Sequence, residues 1–240
     1  MCVASMASPR WRRTLTTVSW VDGRYVPAAG RHGLTSLYDP IVAVTMRERT
    51  FRPALVAQVA DGTATAVLEI GCGTGSLTTL LARALPAASI IGLDPDPVAL
   101  TRAQAKTRTQ PIEWLQGTAV KLPLSDESLD RVVASLVLHH LTAEEKLKAL
   151  AEAHRVLRPG GRLHIADWGA PQDPIMSAAF FVLRAIDGFD RTRAHVRGEL
   201  PALIAGAGFA DIHLRDRLRT GWGTLELLSA RHGGSDVAGS

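Results

Sequence analysis

Val67-Leu68-Glu69-Ile70-Gly71-Cys72-Gly73-Thr74-Gly75-Ser76-Leu77 is the stretch on which the reading of this chain turns. A short apolar run ends on three alternating glycines, and Leu77, Leu80, Leu81 and Leu85 then recur at helical spacing until Pro86. The pattern is strand, tight turn, helix. Glycines at 71, 73 and 75 let the backbone turn sharply and approach a ligand with no Cβ in the way, just ahead of a helix N-terminus. A GxG alone is a weak signal. Here Glu69 precedes the first glycine by two residues, and Asp94 ends the next apolar run, Ser89 to Leu93, nineteen residues after Gly75. An acid at a strand end in that position can accept hydrogen bonds from both ribose hydroxyls of a nucleoside. The competing readings are a generic turn, an NAD site and, for Asp94, a helix cap ahead of Pro95. Ser76 stands where the dinucleotide pattern GxGxxG wants Gly or Ala, which counts against NAD.

Strand and helix signals alternate outward from this turn. Ala66 to Ile70, Ser89 to Leu93, Ile112 to Leu115, Arg131 to Leu138 and Arg162 to Ala166 read as buried parallel strands. Ala210 to Leu214 and Thr224 to Ser229 read as closing strands. Helices are expected from Val98 to Lys106, from Ile175 to Ile186 and from Leu200 to Ala207. Another follows Thr142, which with Glu145 forms a capping box, and Leu147, Leu150, Ala151, His154 and Leu157 line its apolar face. Repeated βα units predict an α/β fold, a Rossmann-like doubly wound, mostly parallel sheet of about seven strands. Ligands bind such sheets outside the carboxyl ends of the strands, which points at the loops after Ile70, Leu93, Leu136 and Ala166. Ahead of the sheet, Ile41 to Val59 reads as an amphipathic helix that covers the ligand edge or packs beside it.

At this point the sequence resembles the class I S-adenosylmethionine-dependent methyltransferases, in the branch that includes the ubiquinone/menaquinone methyltransferases. The resemblance covers roughly residues 38 to 229. Glu69 to Gly75 matches the ExGxGxG motif and Asp94 the ribose-binding acid. Gly117-Thr118-Ala119-Val120-Lys121-Leu122-Pro123 matches the adenine-side loop, where the family usually has Asp in place of Thr118. Ser125 to Asp130 leading into Val132 to His140 resembles the fourth motif, and Arg155 to Gly161 the turn after it. The resemblance implies S-adenosyl-L-methionine as cofactor and S-adenosyl-L-homocysteine as product. Its binding residues would be Tyr38, Glu69, Gly71, Cys72, Gly73, Gly75, Asp94, Pro95, Thr118, Ala119, Val120, Ser135 and Leu136. Tyr38 would close over the methionine end. Cys72 reads as a small buried filler of the turn rather than a nucleophile.

A sulfonium methyl is already activated, so the enzyme mainly aligns the acceptor, and a base is needed only for an alcohol or carbon acid. His139 and His140, read at the end of the fourth strand, and Asp167 are the candidate catalytic groups; satisfied strand-end histidines are the alternative. Trp168, Phe180, Phe181 and Arg184 are the candidate acceptor pocket, with Asp187 and Arg191 as further polar contacts and core packing as the alternative for the apolar residues. With no cysteine near the fourth or later strands, covalent cytosine methylation lacks its nucleophile. No grouping of Asp, Asn or His has metal-ligand spacing in the sequence, so no metal is expected.

The chain has 240 residues, 46% apolar and 21% charged, enough for one substantial core. Its richest apolar stretch, Ile175 to Ile186, is interrupted by Ser177 and Arg184, too short and too polar for a spanning helix. Cys2 and Cys72 cannot form a disulfide framework, consistent with a reducing compartment, and the expected location is the cytoplasm. Arg10, Arg12, Arg13, Arg24 and Arg31 against Asp22 account for the whole net charge of +4. The remainder is neutral, which argues against a nucleic-acid track. The expected organisation is a basic tail over 1–31, a helical cap segment over 32–65 and a methyltransferase domain over 66–240. A small, partly apolar acceptor is the first functional reading. A non-catalytic nucleotide-binding module and an RNA methyltransferase guided by the tail are the alternatives.

Overall fold

In the computed structural model, residues 47–107 and 110–233 are described, and the basic tail and Tyr38 lie outside them. Helix α1 (Glu48–Val59) is followed by β1 (Ala66–Ile70), α2 (Ser76–Ala84), β2 (Ser89–Asp94), α3 (Pro97–Lys106) and β3 (Ile112–Gln116). Then come β4 (Leu129–Ser135), α4 (Ala143–Val156), β5 (Leu157–Trp168), α5 (Pro174–Asp187), the short α6 (Arg193–Val196), α7 (Leu200–Gly206), β6 (Phe209–Thr220) and β7 (Gly223–His232). The seven strands form one sheet in the order β3-β2-β1-β4-β5-β7-β6. The first five are parallel, and β7 enters antiparallel between β5 and β6. The doubly wound sheet expected from the sequence is the observed one.

Strand alternation divides the core between the two faces of the sheet. Leu68, Ile91, Val132 and Ala134 pack with Leu150, Val156 and Ile204 on one face. Val67, Ile90 and Val133, each one residue out of step with those, pack with Phe51, Leu55, Leu77 and Leu81 on the other. Burying each of the larger side chains contributes about 1.5–3 kcal/mol. Helix α1 is therefore part of a helical layer: Phe51, Leu55 and Val59 are fully buried beside α2.

Several boundaries differ from the sequence expectation. Strand β4 stops at Ser135, and Leu138–His140 forms a 3-10 turn, so His139 and His140 follow the strand rather than end it. Strand β5 begins at Leu157, although pairing with β4 shifts register before Arg162. In α4 the capping box of Thr142 and Glu145 forms as expected, but the inward face is Lys146, Ala149, Leu150, Ala153 and Val156, leaving Leu147 exposed. Lys146 can face inward because its ammonium donates to the carbonyl oxygens of Leu141 and Arg191, the latter at 2.6 Å. Among the described residues no helix is long and apolar enough to cross a membrane.

Candidate functional site

Strand order reverses direction between β1 and β4, so the loops leaving their carboxyl ends part and open a crevice there. The glycine turn fills one side of it. Gly71, Gly73 and Gly75 have φ of 69°, 53° and 75°, the left-handed region that glycine enters without a side-chain clash. The Gly71 and Cys72 amides both donate to the Leu93 carbonyl, at 2.8 and 3.0 Å, which pins the turn to the end of β2. A Cβ at Gly71 would lie 2.5 Å from Val137 Cγ2 in the loop after β4, and one at Gly75 would run into the Trp114 ring. At Gly73 nothing lies within 4 Å of that position, so here the backbone borders open space.

Two buried carboxyls support the turn. Asp94 accepts from the Gly73 amide at 2.7 Å and from the Asp96 amide at 2.9 Å, and burial raises its pKa. The cap of α3 is Asp96, whose carboxylate accepts from the Val98 amide ahead of Pro97, so Asp94 is not that cap. Glu69 lies beneath the turn and accepts from the Thr78 hydroxyl at 2.5 Å; burial pushes its pKa up to about 8. Cys72 is buried with its thiol pushed far above the ordinary range by burial, with Glu69 and Asp94 adding to the effect, which suits a filler and not a nucleophile. Above the turn the Lys106 ammonium donates to the Thr74 hydroxyl at 3.0 Å.

The remaining residues assigned to the cofactor border the same edge. Pro95 follows Asp94, and its carbonyl accepts from Gln116 Nε2 at 3.3 Å. Thr118 is exposed and bridges to Lys121 across the turn after β3, with Ala119 buried and Val120 half-buried between them. Ser135 ends β4, and Leu136 follows with φ of 55°, its amide donating to the Ala166 carbonyl at 2.8 Å.

Across the crevice stands a polar cluster. Asp167, fully buried, accepts from His139 Nδ1 at 2.7 Å and from the Leu138 and Trp168 amides, both at 2.8 Å. Burial alone would raise its pKa, but the His139 ring, His195 and the amide hold it well below the usual carboxylate range. His139 Nε2 lies 3.8 Å from one Asp187 oxygen, and His140 Nδ1 lies 3.9 Å from the other. Burial, with the neighbouring His139 ring, lowers the His140 pKa to about 3, and burial raises that of Asp187. His195 is fully buried, 3.6 Å from Asp167, and its pKa falls to about 4 for the same reason of burial. The three expected catalytic residues are thus brought together. Lys146 and His195 join them without any warning in the sequence, since neither belongs to a motif.

The residues expected to line an acceptor pocket separate. Trp168 and Phe180 are each 1% exposed and pack on each other at 5.5 Å between ring centres, which makes Phe180 a core residue. Phe181, one position on, points the other way: it is 58% exposed and pairs with Phe189 at 5.5 Å, and the Arg184 guanidinium lies 4.8 Å from the Phe189 ring centre. Adjacent positions on a helix lie about 100° apart, so Phe180 and Phe181 do not share a surface.

Comparison with known proteins places this geometry. Residues 68–165 match the family model described as a methyltransferase domain. A demethylmenaquinone methyltransferase of Lactiplantibacillus plantarum is 30% identical over 190 residues, covering 70% of this chain and 79% of that protein. A ubiquinone/menaquinone biosynthesis C-methyltransferase of Desulfotalea psychrophila is 28% identical over 213 residues, covering 81% and 84% respectively. Among solved structures, an S-adenosylmethionine-dependent methyltransferase of Methanosarcina mazei superposes with a TM-score of 0.60 at 20% identity, covering 74% of this chain and 97% of that one. With its glycine turn, its strand-end acid and relatives matched over most of their length, the chain belongs to the S-adenosylmethionine-dependent methyltransferases.

Proposed function

We propose that this protein binds S-adenosylmethionine along the glycine turn and transfers its methyl group to a small, partly apolar acceptor held on the side of His139 and Asp167. The observation that carries the reading is the juxtaposition of Gly73, whose backbone borders open space, with the Asp94 carboxylate 2.7 Å from its amide. Glycines at 71 and 75 remove side chains that would otherwise fill the turn, and Asp94 offers acceptor oxygens for ribose hydroxyls. When bound, S-adenosylmethionine supplies a methyl group already activated on its sulfonium.

The chain's own work is then alignment and proton management. Asp167, bonded to Nδ1 of His139, fixes the tautomer in which Nε2 carries a free lone pair, and it stabilises the imidazolium once a proton arrives. His139 is the better placed of the two histidines to act as base, because Asp167 holds its Nδ1 and leaves Nε2 open to a proton. The Trp168 ring, 6.1 Å from that of His139, ties the cluster to α5 by packing on Phe180. A small-molecule acceptor, supported by the neutral charge of the chain beyond residue 31, and a cytoplasmic site of action, in keeping with only two cysteines, complete the reading.

Calorimetry with S-adenosylhomocysteine tests the cofactor half. The wild-type chain is expected to bind, and Asp94→Ala to lose about 1–3 kcal/mol, roughly 5- to 150-fold in affinity. Equal affinity in the two proteins would remove Asp94 from the site.

A further inference from the structure

One ligand atom from each of His139, His140 and Asp187 lies within 4.8 Å of the other two, although Asp187 is nearly fifty residues away in sequence. Asp187 is the last residue of α5, and Gly188 behind it has φ of 100°, so the chain turns away and leaves the carboxylate facing the turn after β4. The two histidines are neighbours on the 3-10 turn with ring centres 4.0 Å apart.

We propose that His139 Nε2, His140 Nδ1 and the Asp187 carboxylate form a binding site for one divalent transition ion of the zinc or ferrous class. Distance supports it first. Ligand atoms bound tetrahedrally at about 2.0–2.2 Å from zinc stand about 3.4 Å apart. The Asp187 oxygens stand 3.8 and 3.9 Å from the two ring nitrogens, one oxygen to each, and with one ligand atom per residue the three lie within 4.8 Å of one another, so closure needs them to draw together by up to about 1.4 Å, within reach of side-chain rotation. Orientation supports it second. The Asp167 carboxylate accepts from His139 Nδ1 at 2.7 Å, the arrangement by which metal-binding histidines are held with Nε2 as the ligand atom. The donor set supports it third, since two imidazoles with one carboxylate favour zinc or iron over magnesium or calcium. Lys146 and Arg191 lie near His140 and oppose a cation there, while Asp167 and Asp187 offset them. The side chain of His140 is 39% exposed, which leaves an entry path and room for further ligands.

An ion at this site takes the lone pair of His139 Nε2, so metal binding and proton acceptance there exclude each other. The binding claim stands on geometry alone. Only its effect on turnover rests on the function proposed above, and the two are read separately. Full-length protein without a histidine tag is titrated with zinc chloride in a calorimeter, with cobalt chloride as a spectroscopic probe of coordination. One equivalent is expected, weakened at least about 100-fold by His139→Ala or by Asp187→Asn and about 10- to 100-fold by Asp167→Asn. His154→Ala, outside the cluster, should change nothing. Folding of each variant is checked by a thermal melt and by S-adenosylhomocysteine binding, and Asp187→Asn carries the test should Asp167→Asn unfold. No binding, or binding that survives in His139→Ala and Asp187→Asn, overturns the site. In a methyl-transfer assay zinc should inhibit and a chelator restore turnover; zinc-dependent activation would keep the metal site and overturn His139 as the base.

Discussion

The two sides of the crevice are built on opposite plans. The glycine turn is backbone chemistry: five consecutive residues, three with positive φ, position amides and carbonyls, and side chains matter chiefly by being absent. The facing cluster is side-chain chemistry, gathered from the turn after β4, the end of β5, the end of α5 and the short α6. The first plan is written in a contiguous motif and tolerates little variation. The second holds several titratable groups in a small buried volume, where each group's protonation depends on the others. One side can hold a constant ligand and the other can be rebuilt for a new one.

The largest expected effect falls on the second side. Asp167→Ala leaves His139 Nδ1 and the Leu138 and Trp168 amides without their acceptor in a buried site, and should cost about 3–5 kcal/mol. At about 2–4 °C per kcal/mol the melting temperature falls by roughly 6–20 °C. Asp167→Asn retains the shape and one acceptor oxygen, so it should melt nearer the wild type while losing turnover through the wrong histidine tautomer. An unchanged melt for Asp167→Ala would mean that the cluster is not held as a unit.

His195 and Glu69, one from each side, respond to pH with opposite sign. The folded-state pKa of His195 is about 4, against about 6.5 when unfolded. Below pH 6.5 the unfolded chain therefore binds the extra proton, and stability present above pH 6.5 is lost as pH falls toward 4. At pH 5 this amounts to about 2 kcal/mol. Glu69 behaves in the reverse sense: with a folded pKa of about 8, its contribution is complete below pH 4.5 and is lost as pH rises toward 8. Melts of His195→Leu and Glu69→Gln across pH 4.5 to 8.5 check this. The first variant should lose part of the acid-side decline and the second part of the alkaline-side decline, and parallel curves for both variants and the wild type would refute the assignment.

The difference in plan also explains what the sequence revealed. The sheet was legible because alternating apolar runs, glycines and prolines are local signals, and the glycine turn with its two buried acids because Glu69, Gly71 and Asp94 fall within twenty-six residues. His139, His140 and Asp167 were singled out as strand-end residues, which holds for Asp167 near the end of β5, whereas the two histidines sit on the 3-10 turn beyond β4. Lys146 was hidden because an amphipathic pattern assigns lysine to the outer face, and only two carbonyl partners, one from Arg191 across the chain, permit its burial. Phe180 and Phe181 looked equivalent as neighbours in an apolar run, and only the packing of α5 on Trp168 separates them. The grouping of His139, His140 and Asp187 depends on where α5 ends, which no local spacing encodes.

The smallest change in stability, and the sharpest test of the backbone plan, is expected at Gly73. An alanine there meets no neighbouring atom within 4 Å, in contrast to Gly71 beside Val137, so the only folding cost is the left-handed φ of 53°, about 1–2 kcal/mol. The added methyl group would project into the open space that the Gly73 backbone borders, where the cofactor is proposed to lie. Gly73→Ala should therefore fold with a melting temperature only a few degrees below wild type and still weaken S-adenosylhomocysteine binding by more than tenfold. If the two losses instead track each other, the turn serves the fold alone and the cofactor lies elsewhere along the edge. A large loss of affinity with a nearly intact melt would locate the cofactor against this one backbone position.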